Sequence, residues 1–177
     1  DSGIEVPLIL RCPAAFSGGR VLAPMVSNID YVPTILELCG LPASSRVQGR
    51  SFAAILRGQV FEANAEIFAE MTFHDYYDPR RCIRTERYKL IVNFSSAPFF
   101  MDPTQQWRPK TITLSPANPR DTQHPAVELY DVEEDPLEEK NLTEDATHSG
   151  VLADLADRLL RWMQRTGDPL LAGAVTS

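Results

Sequence analysis

The stretch MTFHDYYDPRRCIRTERYKLIVNF, Met71 to Phe94, decides how this chain is read. Its second half alternates in the manner of a strand. Tyr88, Leu90, Val92 and Phe94 fall on one face, and Lys89, Ile91 and Asn93 on the other. Cys82–Thr85 reads as the preceding strand, so the spacing predicts a hairpin turning at Glu86-Arg87, without the Gly or Asn common in so tight a turn. Arg80, Arg81, Arg84, Arg87 and Lys89 lie within ten residues of one another, opposed locally only by Glu86. Two readings fit this density of cations. One is a site for a small anionic ligand; the other is a solvated strand edge whose charges guard against aggregation.

Outward from the hairpin, residues 66–73 (EIFAEMTF) and 127–132 (VELYDV) read as further strands. A last helix is expected over Thr147–Arg165, with Leu152, Leu155, Leu159, Trp162 and Met163 as its apolar stripe and Gly167 with Pro169 ending it. Residues 95–125 carry six prolines and little periodicity, a long connection of the kind that is often functional. On the N-terminal side, Ile4–Leu10 reads as a buried strand. A helix follows from Ser27–Asp30, with Ile29, Val32, Leu36 and Cys39 on one stripe and Gly40 at its C-cap. Ser51 is expected to cap a short helix through Leu56. The order predicts an α+β fold, in which a small antiparallel sheet packs with a C-terminal helix. Residues 1–60 form a remnant of an α/β layer, and residues 61–177 the antiparallel-sheet subdomain.

The 177 residues carry 17 Lys and Arg against 24 Asp and Glu, a formal net charge of -7. That balance argues against a nucleic-acid partner. No apolar run approaches the roughly 18 residues of a membrane span. Cys12, Cys39 and Cys82 are odd in number and widely spaced, which predicts buried free thiols. The chain begins at Asp1 without an initiating Met or a signal-like segment, so it reads as a piece of a longer protein, and its compartment stays open. Cut from a larger layer, the apolar faces near the N-terminus are expected to be exposed or to drive self-association.

Chemistry-bearing motifs are sparse. There is no G-x-S-x-G elbow, H-E-x-x-H helix or Gly-rich phosphate loop. His124 and His148 read as surface histidines. The acidic turn Glu133–Glu139 reads as a solvated turn, because calcium requires six to eight oxygens around a tight loop. Asn93-Phe94-Ser95 and Asn141-Leu142-Thr143 match the glycosylation acceptor pattern. Pro79 forces an extended or turn geometry on Asp78. The loop His74, Asp75, Tyr76, Tyr77, followed by Arg80 and Arg81, combines stacking aromatics with bidentate donors, as recognition of a sugar or an anionic group requires.

Three passages resemble the C-terminal part of sulfatases of the alkaline-phosphatase-like superfamily. DSGIEVPLILRCP is similar to the family's Pro-Leu-Ile strand. SNIDYVPTILELCGLP with VQGRSF is similar to its Asp-x-x-Pro-Thr helix and the Gly-x-Ser continuation. RCIRTERYKLIVNF with ELYDVEEDPLEEKNL is similar to its hairpin and its Glu-Leu-Tyr-Asp signature. The set HDYYDPRRCIRT is most similar to heparan N-sulfatase-like (N-sulfoglucosamine sulfohydrolase-like) members. The resemblance implies part of an enzyme that hydrolyses sulfate esters or N-sulfates, with a sulfated carbohydrate and the rest of its own catalytic domain as partners. It also implies a formylglycine and a divalent cation, calcium by expectation, in the full-length enzyme. This chain would supply neither, having no nucleophile motif, and would be inert alone. His74, Asp75, Tyr76, Arg80 and Arg81 are the expected substrate-binding residues. A related phosphodiesterase or phosphonate hydrolase, or a free-standing carbohydrate-binding module, remain the alternatives.

Overall fold

A computed structural model describes residues 3–73, 77–95 and 124–175. The chain divides into two compact units, one ending at Ile67 and one starting at Phe68.

The second unit holds most of a four-stranded sheet in sequential order: β1 (Glu66–Phe73), β2 (Tyr77–Thr85), β3 (Tyr88–Asn93) and β4 (Val127–Asp131). β2–β3 and β3–β4 are antiparallel, with Ile83 opposite Leu90 and Leu90 opposite Leu129. The hairpin turns at Glu86-Arg87, where sequence spacing puts it. In place of Gly or Asn, the Thr85 hydroxyl steadies the turn by accepting from Tyr88 N–H and donating to its carbonyl, both at 3.0 Å. β2 is longer than the Cys82–Thr85 expectation because Pro79 lies inside it. Its carbonyl still accepts from Phe94 N–H at 2.9 Å, and its φ suits an extended chain.

Helix α3 (Ser149–Thr166) covers one face of this sheet and ends at Gly167 in the left-handed conformation. Leu155, Leu159 and Met163 bury against Ile83, Leu90 and Leu129, with Leu152 and Trp162 partly buried beside them. This is the stripe its periodicity predicts. Trp162 stacks on Phe68 with ring centroids 4.8 Å apart.

The first unit contains a 3-10 turn (Asn28–Asp30) leading into α1 (Tyr31–Leu38), and the short α2 (Ala53–Leu56). Its organising group is the buried Asp30. The Asp30 carboxylate accepts from Ser27 N–H (2.9 Å), Arg50 N–H (2.7 Å) and Asn64 Nδ2 (3.0 Å). Thr34 Oγ1 donates to Asp30 O (2.6 Å) and accepts from Phe52 N–H (3.0 Å).

Three expectations differ here. Ile4–Leu10 forms no strand, and Ile9 is 90% exposed. No other described strand runs beside it to take its backbone groups, and Pro7 removes one donor. The stripe Ile29, Val32, Leu36, Cys39 is also not the buried side of its helix. Ile29, Val32 and Cys39 are exposed, while Asp30, Pro33 and Thr34 are buried. The helix is fixed within its unit by its polar side, so its apolar side faces outward. Of the three free cysteines, Cys82 alone is buried. No helix among the described residues is long and apolar enough to cross a membrane.

Candidate functional site

Antiparallel register places directly opposed residues on one face of a sheet. The face away from α3 therefore carries Asp78, Arg80 and Cys82 from β2, Lys89, Ile91 and Asn93 from β3, and Glu128 and Tyr130 from β4. This face is polar, yet Asp78, Lys89, Asn93, Glu128 and Tyr130 are all buried. Buried polar groups need partners, and here most find one another, although Asn93 Oδ1 accepts no hydrogen bond among the described residues.

Arg80 lies at the centre. Its Nε donates to Asp78 Oδ2 at 2.9 Å, and its Nη2 donates to the same oxygen and to His124 Nε2, the latter at 2.7 Å. A guanidinium has five N–H donors. Asp78 and His124 take three of Arg80's, and the Nη1 pair makes no bond among the described residues. The side chain is 26% exposed. Among the described residues, Asp78 Oδ1 keeps only a 3.5 Å contact with the Ser95 hydroxyl. A held donor pair thus sits beside an acceptor.

Behind Arg80, the ring of His124 stands between it and Glu128, with Nδ1 at 3.7 Å from Glu128 Oε1. Asn93 Nδ2 donates to Glu128 Oε1 at 2.7 Å and the Tyr130 hydroxyl to Oε2 at 2.6 Å. Burial alone would raise the Glu128 pKa. The His124 ring, the tyrosine hydroxyl and the amide outweigh it and hold the group at about 2. Burial and the adjoining carboxylate push the Tyr130 phenol upward. A carboxylate with a depressed folded-state pKa contributes stability that is complete above its unfolded value of 4.5 and is lost as pH falls through the folded value. Urea midpoints measured from pH 5 down to pH 2 should therefore fall less steeply for Glu128→Gln than for the native chain. Parallel slopes would remove Glu128 as the source.

Arg81, one residue on, points to the other face. Its Nε and Nη2 donate to Asp168, Nη2 also to Thr72 Oγ1 (3.2 Å), and Nη1 to Met71 O (2.9 Å) and Arg80 O (2.8 Å). All five donors are used inside the fold, and the side chains of Arg81 and Asp168 are 2% and 1% exposed. Burial would raise the Asp168 pKa, but the guanidinium and the Leu170 N–H keep it lowered. Arg80 and Arg81, expected as a pair on one ligand, stand on opposite faces, as period-two alternation dictates for adjacent strand residues. His74, Asp75 and Tyr76 lie outside the described residues.

Sequence reasoning missed Asp78, His124, Asn93 and Glu128. Asp78 and Arg80 are two apart, which in an extended chain puts them on one face; leaving Asp78 open as extended or turn kept that signal from being used. His124 is not a surface group, its side chain being 9% exposed. Its partner Arg80 is 44 residues away, beyond any spacing rule. Both side chains of the glycosylation patterns bond within the fold, Asn93 through its Nδ2 alone. Asn93 Nδ2 is held as above, and Asn141 bonds the edge of β4 through Leu129 N–H (3.0 Å) and Val127 O (3.2 Å). In the acidic turn, Glu133, Glu134 and Glu139 are exposed, while Glu138 accepts from the buried Lys89 Nζ with both oxygens (2.8 and 2.7 Å). Among the described residues no three His, Cys, Asp or Glu side chains converge to hold a metal ion. Cys39, at the C-cap of α1, is exposed.

Comparison with known proteins gives the following. Residues 1–106 match the family model described as N-sulphoglucosamine sulphohydrolase, C-terminal. An ulvan-active sulfatase from Formosa agariphila is 27% identical over 175 residues, covering 96% of this chain and 35% of that protein. The chain thus spans about a third of the length of this curated relative. The structure of BT4656, solved in complex with its substrate D-glucosamine-2-N,6-O-disulfate, superposes with TM-score 0.65 at 20% identity, over 90% of this chain and 28% of that one. The phosphonate monoester hydrolase SpPMH from Silicibacter pomeroyi superposes with TM-score 0.59 at 22% identity, over 88% and 28%. These two structural likenesses speak for the fold alone.

Proposed function

The chain belongs to the N-sulphoglucosamine sulphohydrolase C-terminal family, and on that premise we propose that it forms one wall of the substrate pocket of a sulfatase acting on a sulfated sugar. The full-length enzyme would cleave a sulfate ester or an N-sulfate. The nucleophile and metal ligands would come from the rest of its catalytic domain, against which the exposed apolar side of α1 would pack.

The observation that carries this reading is the fixed Arg80 fork, with its Nη1 pair free among the described residues and Asp78 Oδ1 beside it. The Asp78–Arg80 couple is electrically balanced. A balanced donor–acceptor pair suits a sugar hydroxyl, which donates and accepts at once, better than it suits a lone sulfate. His74, Asp75 and Tyr76, from the β1–β2 connection, would complete the contact to the sugar or its anionic substituent. Arg81, with every donor used internally, would hold β2 in place beneath them.

Arg80→Ala in the complete enzyme should lower kcat/KM on sulfated sugars about tenfold or more, the cost of one charge-assisted contact of roughly 1.5–3 kcal/mol. Unchanged kinetics on every accepted sulfated substrate would take Arg80 out of the site. Faster turnover of a phosphonate monoester than of the matching sulfate ester would instead favour the related phosphonate hydrolase reading.

A further inference from the structure

The candidate site contains a histidine whose proton the geometry places. His124 Nε2 lies 2.7 Å from Arg80 Nη2. A guanidinium only donates, so Nε2 is the acceptor and bears no hydrogen. The neutral ring must then carry its proton on Nδ1, the nitrogen that faces Glu128 Oε1 at 3.7 Å, an electrostatic contact rather than a hydrogen bond. An imidazolium would turn an N–H toward the Arg80 N–H and break the contact. The groups around the ring agree with this assignment. Asp78 and Arg80 stand on the Nε2 side, from β2. Glu128, from β4, stands on the Nδ1 side, its oxygens also held by Asn93 and Tyr130.

We propose that Glu128 is a positioning residue for Arg80, acting through His124: its carboxylate holds the ring as the Nδ1–H tautomer, so that Nε2 braces one edge of the guanidinium and leaves the Nη1 pair turned toward ligand. The tautomer of a histidine is set by what its second nitrogen meets, and a third group that fixes it determines what the first nitrogen does. Replacing the carboxylate with an amide removes the electrostatic preference. Nε2–H rings then appear, a donor meets a donor, and among the described residues Arg80 is held by Asp78 alone. The functional consequence rests on the reading of Arg80 as a sugar-binding group; the tautomer does not.

Two measurements separate the two. In the native protein with 15N-labelled histidine, NMR at pH 7 should show His124 protonated at Nδ1 and bare at Nε2. A predominant Nε2–H ring, or an imidazolium, overturns the proposal without any variant having to fold. In Glu128→Gln the ring should become a mixture of tautomers, and the half-saturating concentration of N-sulfoglucosamine should rise about threefold to tenfold. Tyr130→Phe keeps the carboxylate and should leave the tautomer as it is. A Glu128→Gln protein that is less stable but keeps a pure Nδ1–H ring shows a merely structural glutamate, and the proposal falls. A tautomer that responds to Glu128→Gln in a protein that binds no N-sulfoglucosamine supports the lock and overturns the sugar reading instead.

Discussion

Asp168→Ala is expected to lower the free energy of unfolding by about 3–5 kcal/mol, because it strands a buried guanidinium. The side chain of Arg81 is 2% exposed and both Asp168 oxygens accept from it. With the carboxylate gone, Glu70 is the remaining nearby anion among the described residues, 3.7 Å from Nε and itself 62% exposed. An exposed partner at that distance is screened and recovers little. The damage should be local as well as global. Asp168 also accepts from Leu170 N–H at 3.0 Å, and Leu170 belongs to the cluster beneath α3. Urea unfolding of Asp168→Ala is the direct measurement. The double variant Arg81→Met with Asp168→Leu tests the cause, since two apolar side chains of similar reach leave no charge to strand and should restore most of the loss. A cost below about 1 kcal/mol, the range of an exposed pair, would show that the Arg81 site admits water.

The parts of the fold that the sequence makes legible are those whose signal is local. Alternation from Tyr88 to Phe94 needs no distant partner to interpret, and it places Leu90 and Lys89 on the faces where the structure has them. The stripe of α3 is legible for the same reason. Periodicity says that α1 has an apolar side; it does not say which side its own unit takes up. Asp30 and Thr34, through hydrogen bonds to residues 50–64, decide that, and they draw the polar side inward. Ile4–Leu10 has the composition of a strand, but a strand exists only where a neighbour accepts its backbone groups. The candidate site was half legible. Arg80 stands out by charge density. Its braces do not, because Asp78 depends on whether Asp78-Pro79 extends or turns, and His124 depends on a tertiary contact. Arg81 shares the same cationic run yet is spent on the fold, so cation density alone could not tell a ligand-facing group from a structural one.

The same distinction between local and tertiary signals makes Gly49→Ala a sharp test. An added Cβ at Gly49 would lie 1.9 Å from Ile29 O, 2.4 Å from Ile29 C and 2.8 Å from Asp30 N. All three are backbone atoms at the entrance of α1, and no rotamer change moves them aside. They are also anchored: Arg50 N–H bonds the Asp30 carboxylate at 2.7 Å, and Thr34 ties Asp30 O to Phe52 N–H. Relieving the clash means parting residues 49–52 from the start of the helix and breaking that set of bonds together. The expected cost is about 3 kcal/mol or more. Gly40 is the control. It sits at φ +71 with nothing within 4 Å of its would-be Cβ, so Gly40→Ala should cost only the left-handed penalty of roughly 1–2 kcal/mol. Judged on φ, Gly40 would be the more sensitive of the two, whereas the close approach at residue 49 reverses the order. Hydrogen exchange at the Arg50 and Phe52 amides should accelerate in Gly49→Ala and stay unchanged in Gly40→Ala. Equal stability loss in the two variants would mean that the Gly49 backbone does not lie against Ile29, and the Asp30 hub would lose its geometric basis.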